Sequence, residues 1–479
     1  MNRSKATMVH QLLRRYLGFT PTADQEQALQ AIAAFLCRFY EAHIFLLLGY
    51  AGTGKTTLLQ TLVKTLPKLN LKTVLLAPTG RAAKVMSRYA GAPAFTLHKY
   101  LYRLREIEGK WHWERRGNQA AHTLYIVDEA SMISSGAHEP GGADLLQDLW
   151  AFVAEGRNCK VLFAGDTAQL PPVGTSLSPA LSRRFLQAAF SAELSQVMLR
   201  EVLRQSAQSQ ILHNATLLRA QMPDELHPPQ WQAGRDVHRL EEAFAVEEAL
   251  QNAYATRPRR DIAIIVRSNK RANQFNQQIR RQILAQEDLI SAGDLLMVVK
   301  NNYHWLPPES EAGFIANGDM MEVQRIMEWK ELYGYRFARC EVQLLDYPSE
   351  PAMEAMLLLD VLELDGPSLA YAQWQALYAQ VAEDYQDIPG RAARAQALRR
   401  DPYLNALQVK YAYTFTAHKA QGGQWPVVFV EKPWQPDENI ELDDLRWLYT
   451  AITRAEEELW LLGFPDDYFA EAPPEEAKH

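Results

Sequence analysis

IFLLLGYAGTGKTT, residues 44–57, reads as a short apolar strand running into a glycine-rich loop, and TLLQTLVKTL, residues 57–66, reads as the helix that follows. The loop Gly49–Thr57 fits G-x-x-x-x-G-K-[ST] in the strand–loop–helix context that its chemistry requires. Glycines let the main chain wrap an anion, and the N–H groups at the helix start stabilise negative charge there. Lys55 is expected to reach the β- and γ-phosphates of a nucleotide, and Thr56 to ligate Mg²⁺. Gly49, Ala51, Gly52, Thr53, Gly54 and Thr57 complete the expected phosphate cradle.

Working outward, compact apolar runs recur at Thr73–Ala77, Leu124–Val127 and Lys160–Ala164, with helical patterns between them. Runs of this kind suit strands buried on both faces of a parallel sheet. A second set, Ile262–Val266, Val427–Val430 and Leu459–Leu462, predicts a second α/β sheet. A turn-rich stretch interrupts it after the helix expected over Asn269–Arg280. Strand-like segments at Leu295–Val299 and Cys340–Leu345 predict a small β-barrel-like module, SH3-like in size. Ser368–Arg400 then reads as helices broken near Pro389-Gly390.

Two more strands end in chemistry. LYIVDEASM closes on Asp128 and Glu129, and buried carboxylates are costly unless paired or metal-bound. Asp128 is expected to hold Mg²⁺ and Glu129 to polarise the attacking water. KVLFAGD runs into GDTAQLPPVG, residues 165–174, where the Gln169 amide can bond both a γ-phosphate and a water.

The chain has 479 residues, 47% apolar and 22% charged, an ordinary globular composition. Its longest apolar runs are too short to span a bilayer. MNRSKATMVHQLLRRYLGF lacks the apolar core of a secretory signal and reads as an amphipathic helix. Three scattered cysteines, Cys37, Cys159 and Cys340, read as reduced thiols of a cytoplasmic protein. The net charge of −7 argues against coating nucleic acid by bulk charge but leaves room for a local basic groove.

From about Thr22 to Gly463 the run of motifs resembles the superfamily-one helicases, in their RecD-like and Dda-like 5′-to-3′ branch. The stretches that carry it are TADQ, GYAGTGKTT, APTGRAAKVM (77–86), TLHKYL (96–101), DEAS, GDTAQ, LREVLRQ (199–205), TAHKAQGGQW (416–425) and YTAITRA (449–455). FIANGD, DYQDIPG and PYLNALQVKYAY resemble a compact bacterial RecD-like subgroup in particular. The resemblance implies two RecA-like domains, ATP and Mg²⁺ as cofactors, and a DNA helicase moving 5′-to-3′ on single-stranded DNA in repair or recombination. It places Gln25 as an adenine reader, Arg204 as a phosphate sensor, Arg454 as an arginine finger and Gly422 as a nucleotide contact. It also implies DNA contacts at Pro78, Thr79, Gly80, Thr96 and His98 in the first domain, and at Thr416, His418 and Lys419 in the second. Family members often carry an acid after the second glycine of the HKAQG motif, where this chain has Gly422-Gly423-Gln424-Trp425.

The implied organisation is a first RecA-like domain over 1–200 with a hairpin insert at 96–122. A second domain begins over 201–285, a barrel and helical insert follows over 286–404, and the second domain resumes over 405–479. The family's hairpin splits the duplex, and Trp111 or Trp113 would abut the fork; both could equally pack the hairpin onto its own domain. His98 and His418 could be structural, and Arg391, Arg394, Arg399 and Arg400 could face phosphate or only solvent. The expected partners are single-stranded and forked DNA, with the chain acting as a monomer and binding no membrane. A translocase that strips proteins without unwinding, and a non-enzymatic nucleic-acid-binding subunit, are the competing readings.

Overall fold

The computed structural model describes residues 2–38, 43–107, 110–136, 144–202, 209–222, 226–307, 309–310, 312–347, 349–434 and 439–470; of 2, 3, 104–107 and 110–113 only the backbone is described. The chain opens with helices α1 (Asn2–Leu17) and α2 (Ala23–Cys37). Strands β1 (His43–Gly49), β2 (Lys72–Ala77) and β3 (Ala94–Thr96) follow, with helices α3 (Lys55–Thr65) and α4 (Gly80–Ala90) between them. Next come a two-stranded ribbon, β4 (Tyr102–Ile107) with β5 (Lys110–Arg115), then β6 (Thr123–Val127), β7 (Lys160–Gly165) and β8 (Glu193–Leu199).

The first sheet has the order β3-β2-β6-β7-β1-β8 and is parallel throughout. β1, β6 and β7 are buried at every position, which is why their sequences are nearly continuous apolar runs. Leu48 of β1 pairs with Gly165 of β7 on one side and Met198 of β8 on the other. Because the strands are parallel and in step, the phosphate loop, Asp128-Glu129 and Asp166 all leave the sheet at its carboxyl edge, where α/β sheets bind ligands.

The second sheet is β16-β10-β17-β18-β9, also parallel, built from β9 (Val237–Leu240), β10 (Ile262–Val266), β16 (Thr414–Thr416), β17 (Trp425–Glu431) and β18 (Ala455–Leu462). Periodicity does not signal β3, β8, β9 or β16. They are short, or sit at sheet edges with half-buried alternating faces such as that of β8.

Between β10 and β16 the chain closes a five-stranded barrel, β11 (Leu295–Val298), β12 (Met320–Leu332), β13 (Tyr335–Leu344), β14 (Met353–Leu358) and β15 (Leu407–Tyr411). This corrects the expected boundary between 404 and 405. β15 pairs antiparallel with β11 and parallel with β14, so the barrel cannot close without residues 407–411. The chain then passes directly into β16, and the Ile264 N–H bonds the Tyr413 carbonyl at 3.1 Å. The helix Asn269–Gln278 stops short of Arg280, and Ile279–Ile283 continues it as a π-helical turn. That turn buries Arg280 against Asp294 (2.9 Å), with Tyr413 donating to the same carboxylate, and so ties sheet to barrel. Helices Tyr371–Glu383 and Arg391–Arg400 bracket Pro389-Gly390, and Arg391, Arg394, Arg399 and Arg400 are exposed. The three cysteines are free and buried, and no helix among the described residues is long and apolar enough to cross a membrane.

Candidate active site and nucleic-acid groove

The phosphate loop is held open by backbone geometry. Gly52 and Gly54 have φ of +73° and +85°, left-handed values that strain any side chain but glycine, and Gly54 caps α3. The Lys55 ammonium rests on loop carbonyls, with Tyr50 at 3.0 Å. Ala51, Gly52, Gly54, Lys55 and Thr56 line a cleft of about 570 Å³.

Asp128, Glu129, Asp166 and Gln169 form the adjoining wall, and Gly422, Gln424, Thr453 and Arg454 face them from the second domain. Asp128 accepts from the Tyr89 hydroxyl (2.7 Å) and from the Glu129 N–H (2.9 Å), one bond to each oxygen. Glu129 sits at φ +51°, a strained conformation, and its half-buried carboxyl lines the cleft. Burial, then the neighbouring Asp128 charge, pushes its pKa up to about 7, while Arg454 and Lys55 pull it down. Arg454 is buried, and burial lowers its pKa while Glu129 opposes that. Its guanidinium bonds the carbonyls of Thr450 (2.9 Å) and Gly423 (3.2 Å) and the Thr453 hydroxyl (3.1 Å).

These residues fit a magnesium nucleotide. The Gln169 side-chain oxygen is buried without a hydrogen-bond partner, and an amide oxygen can accept from a water. A cationic and N–H-rich loop opposite acids and a buried arginine suits a polyphosphate with a hard cation, which Thr56 and Asp128 would help hold.

Other expected nucleotide contacts lie outside the cleft's lining. Gln25 is buried beneath the loop, with one hydrogen bond at each end of its amide. Its nitrogen donates to the Thr53 carbonyl (3.2 Å), and its oxygen accepts from the Thr22 N–H (3.2 Å) in a capping box that starts α2. Thr53 is buried and donates back to the Tyr50 carbonyl (2.8 Å), Gly49 packs against Leu199, and the Thr57 carbonyl accepts from Thr61. Arg204 lies outside the described residues.

A second opening, about 490 Å³, separates the first domain from the barrel. Gly80 and Thr96 line it, beside Lys84, Arg88, Lys99 and the barrel's Phe314 and Asp346. Thr79, next to Pro78 at the end of β2, and Thr96 use their hydroxyls as helix caps for Ala82 and Lys99 (both 3.2 Å). Gly80 is required by a close approach, because a Cβ there would stand 2.2 Å from that of Ala316. His98 is exposed, with its ring 5.9 Å from that of Tyr102. The second-domain residues are elsewhere: Thr416 is buried, Lys419 is half-buried with burial lowering its pKa, and His418 lines a cavity of about 160 Å³ with Pro171, Pro172 and Arg267. Trp111 and Trp113 pair with Glu106 and Leu104 in the β-ribbon, but their side chains lie outside the described residues.

Sequence reasoning missed the residues that join these parts. Lys84 forms a buried ion pair with Asp319 of the barrel (2.8 Å) and lies over the Tyr347 ring (4.0 Å). Asp166 and Tyr449 meet across the cleft. Their only signal was membership of quoted stretches, APTGRAAKVM, FIANGD, GDTAQ and YTAITRA.

Two family models match the chain, an AAA domain over residues 20–241 and a UvrD-like helicase C-terminal domain over 411–462. The ATP-dependent RecD2 DNA helicase of Deinococcus radiodurans is 34% identical over 178 residues, 36% of this chain and 21% of that protein. An uncharacterized protein of Methanocaldococcus jannaschii is 29% identical over 164 residues, 32% of this chain and 13% of that protein. The chain thus matches about a fifth or less of the length of these curated relatives. Among solved structures, a Bacteroides Pif1 helicase with ADP-AlF3 and single-stranded DNA aligns over 95% of both chains at 14% identity and a TM-score of 0.47. The Candida albicans Pif1 helicase aligns over 95% of this chain and 97% of its own at 16% identity and a TM-score of 0.41. The first matched model contains Lys55, Asp128, Glu129 and Gln169, and the second contains Gly422 and Arg454, the groups that face one another across the cleft. The chain is thus similar to an AAA domain over residues 20–241 and to a UvrD-like helicase C-terminal domain over 411–462, and part of it is similar to a RecD2 DNA helicase.

Proposed function

We propose that this chain is an ATP-hydrolysing DNA helicase that moves 5′-to-3′ along a single strand as a monomer and unwinds the duplex ahead, in repair or recombination. The observation that carries the reading is the single cleft between two sheets, with Lys55, Asp128, Glu129 and Gln169 on one side and buried Arg454 on the other. The loop N–H groups and Lys55 hold the phosphates. Glu129, as the carboxylate, takes a proton from the attacking water that Gln169 orients. Arg454 stabilises charge that develops on the γ-phosphoryl oxygens. Magnesium, held through Thr56 and Asp128, screens the phosphate charge when bound.

DNA would lie along the groove between α4 and the barrel, where Arg88 and Lys99 are cations outside the Lys84–Asp319 pair. Phosphate contacts from such cations grip a strand without reading its bases. Thr416, His418 and Lys419 would provide the second grip, and the β4–β5 ribbon the fork-splitting element. The test is ATP hydrolysis with and without single-stranded DNA, then unwinding of forks with a 5′ or a 3′ tail at stated salt. Hydrolysis stimulated by DNA with unwinding only from the 5′ tail is expected. Hydrolysis without unwinding would instead mean a translocase, and no DNA-stimulated hydrolysis would end the motor reading.

A further inference from the structure

The loop that carries Gln169 is fastened from the opposite domain. The Tyr449 hydroxyl donates to Asp166 Oδ2 at 2.7 Å and accepts from the Ala51 N–H of the phosphate loop at 3.0 Å. One residue on, the Thr450 hydroxyl accepts from the Leu170 N–H at 2.9 Å, and Gln421 Nε2 donates to the Leu170 carbonyl at 2.9 Å. Asp166 and Leu170 flank Gln169, so both ends of its short segment are held by second-domain side chains. Asp166, Tyr449, Thr450 and Gln421 are all buried, so no water competes for these bonds.

We infer that Tyr449 is a positioning residue: its hydroxyl joins the phosphate loop to the Gln169 segment only while the second domain is seated, so the water-orienting amide reaches its place only in the closed cleft. Tyr449 touches no substrate in this role and acts through Asp166 and Ala51. The arrangement makes hydrolysis conditional on domain closure, which a DNA-gripping motor needs to avoid idle turnover. The inference rests on the helicase reading above.

The test uses the full chain and Tyr449→Phe, which keeps the ring and removes both bonds. DNA-stimulated kcat should fall roughly tenfold, the loss expected for a hydrogen bond to a charged group, with KM for ATP within about twofold. Base pairs opened per ATP should also fall. Asp166→Ala, which removes the Tyr449–Asp166 bond, should also lower kcat, and the double variant should lose less than the product of the two single losses, because both single variants remove that one shared bond. A thermal melt checks the fold; if Tyr449→Phe melts early, Thr450→Val carries the same test through Leu170. Wild-type kcat in a folded variant, a loss confined to KM, or losses that multiply in the double variant would overturn the inference. Those outcomes leave wild-type DNA-stimulated hydrolysis intact, whereas its absence would sink the motor reading and this inference with it.

Discussion

The cleft between the two sheets and the groove beneath the barrel use charge in opposite ways. In the cleft, half-buried Glu129 and buried Arg454 lie within each other's field without an ion pair, and Arg454 is held by carbonyls and a hydroxyl. Across the groove the charges are spent on each other: Lys84 and Asp319 pair in the interior, Asp346 lies at 3.9 Å, and Gly80 lets the backbones close up. Buried charges left facing a cavity are disposed toward a charged ligand. A buried pair selects one docking geometry and makes losing either partner costly.

The sharpest way to break this contrast is to remove the cleft's own charges. Lys55→Ala should lower ATP turnover by at least about a hundredfold with the fold intact, measured by phosphate release. Glu129→Gln should cost about a hundredfold or more and leave nucleotide binding in place, measured by fluorescence titration. For the wild type, turnover should rise with pH through about 7, because the active form of Glu129 is the carboxylate and burial beside Asp128 has raised its pKa. Arg454 lowers that pKa, so Arg454→Ala should move the midpoint of the normalised profile upward as well as slowing turnover. A midpoint that moves down would mean the two groups do not share one field.

The barrel joint should respond in stability. Asp319→Ala leaves Lys84 buried without its partner and should cost about 3 kcal/mol in denaturant titration, while Lys84→Met with Asp319→Leu should restore most of it. Equal losses in the single and double variants would show that shape, not charge, sets the joint. Smaller still, Arg88→Ala and Lys99→Ala should each weaken single-stranded DNA and flatten the slope of log K against log salt by about 0.7. Replacing Trp111 and Trp113 together should keep DNA-stimulated hydrolysis and lower strand separation several-fold, roughly the worth of one lost stacking contact. Equal loss of both activities, or of neither, would remove the tryptophans from the fork.

Much of the architecture was legible in local patterns. A phosphate loop must be contiguous, because consecutive N–H groups wrap one anion, so residues 44–66 announced strand, loop and helix together. Strands buried on both faces, such as β1, β6, β7 and β10, are apolar at nearly every position and stand out. β8 has one half-exposed face and did not, and β15 looked like part of the sheet that it immediately precedes.

What the residues determined alone was therefore the set of elements and the groups that can handle a nucleotide, since both follow from short-range spacing. Which groups meet was decided by tertiary structure. Tyr449 reaches Asp166 from 283 positions away, and Lys84 and Asp319 come together only when the barrel docks on α4. Gln25 likewise meets the Thr53 carbonyl only once α2 packs beneath the loop, because a buried amide bonds nearby backbone groups that need partners.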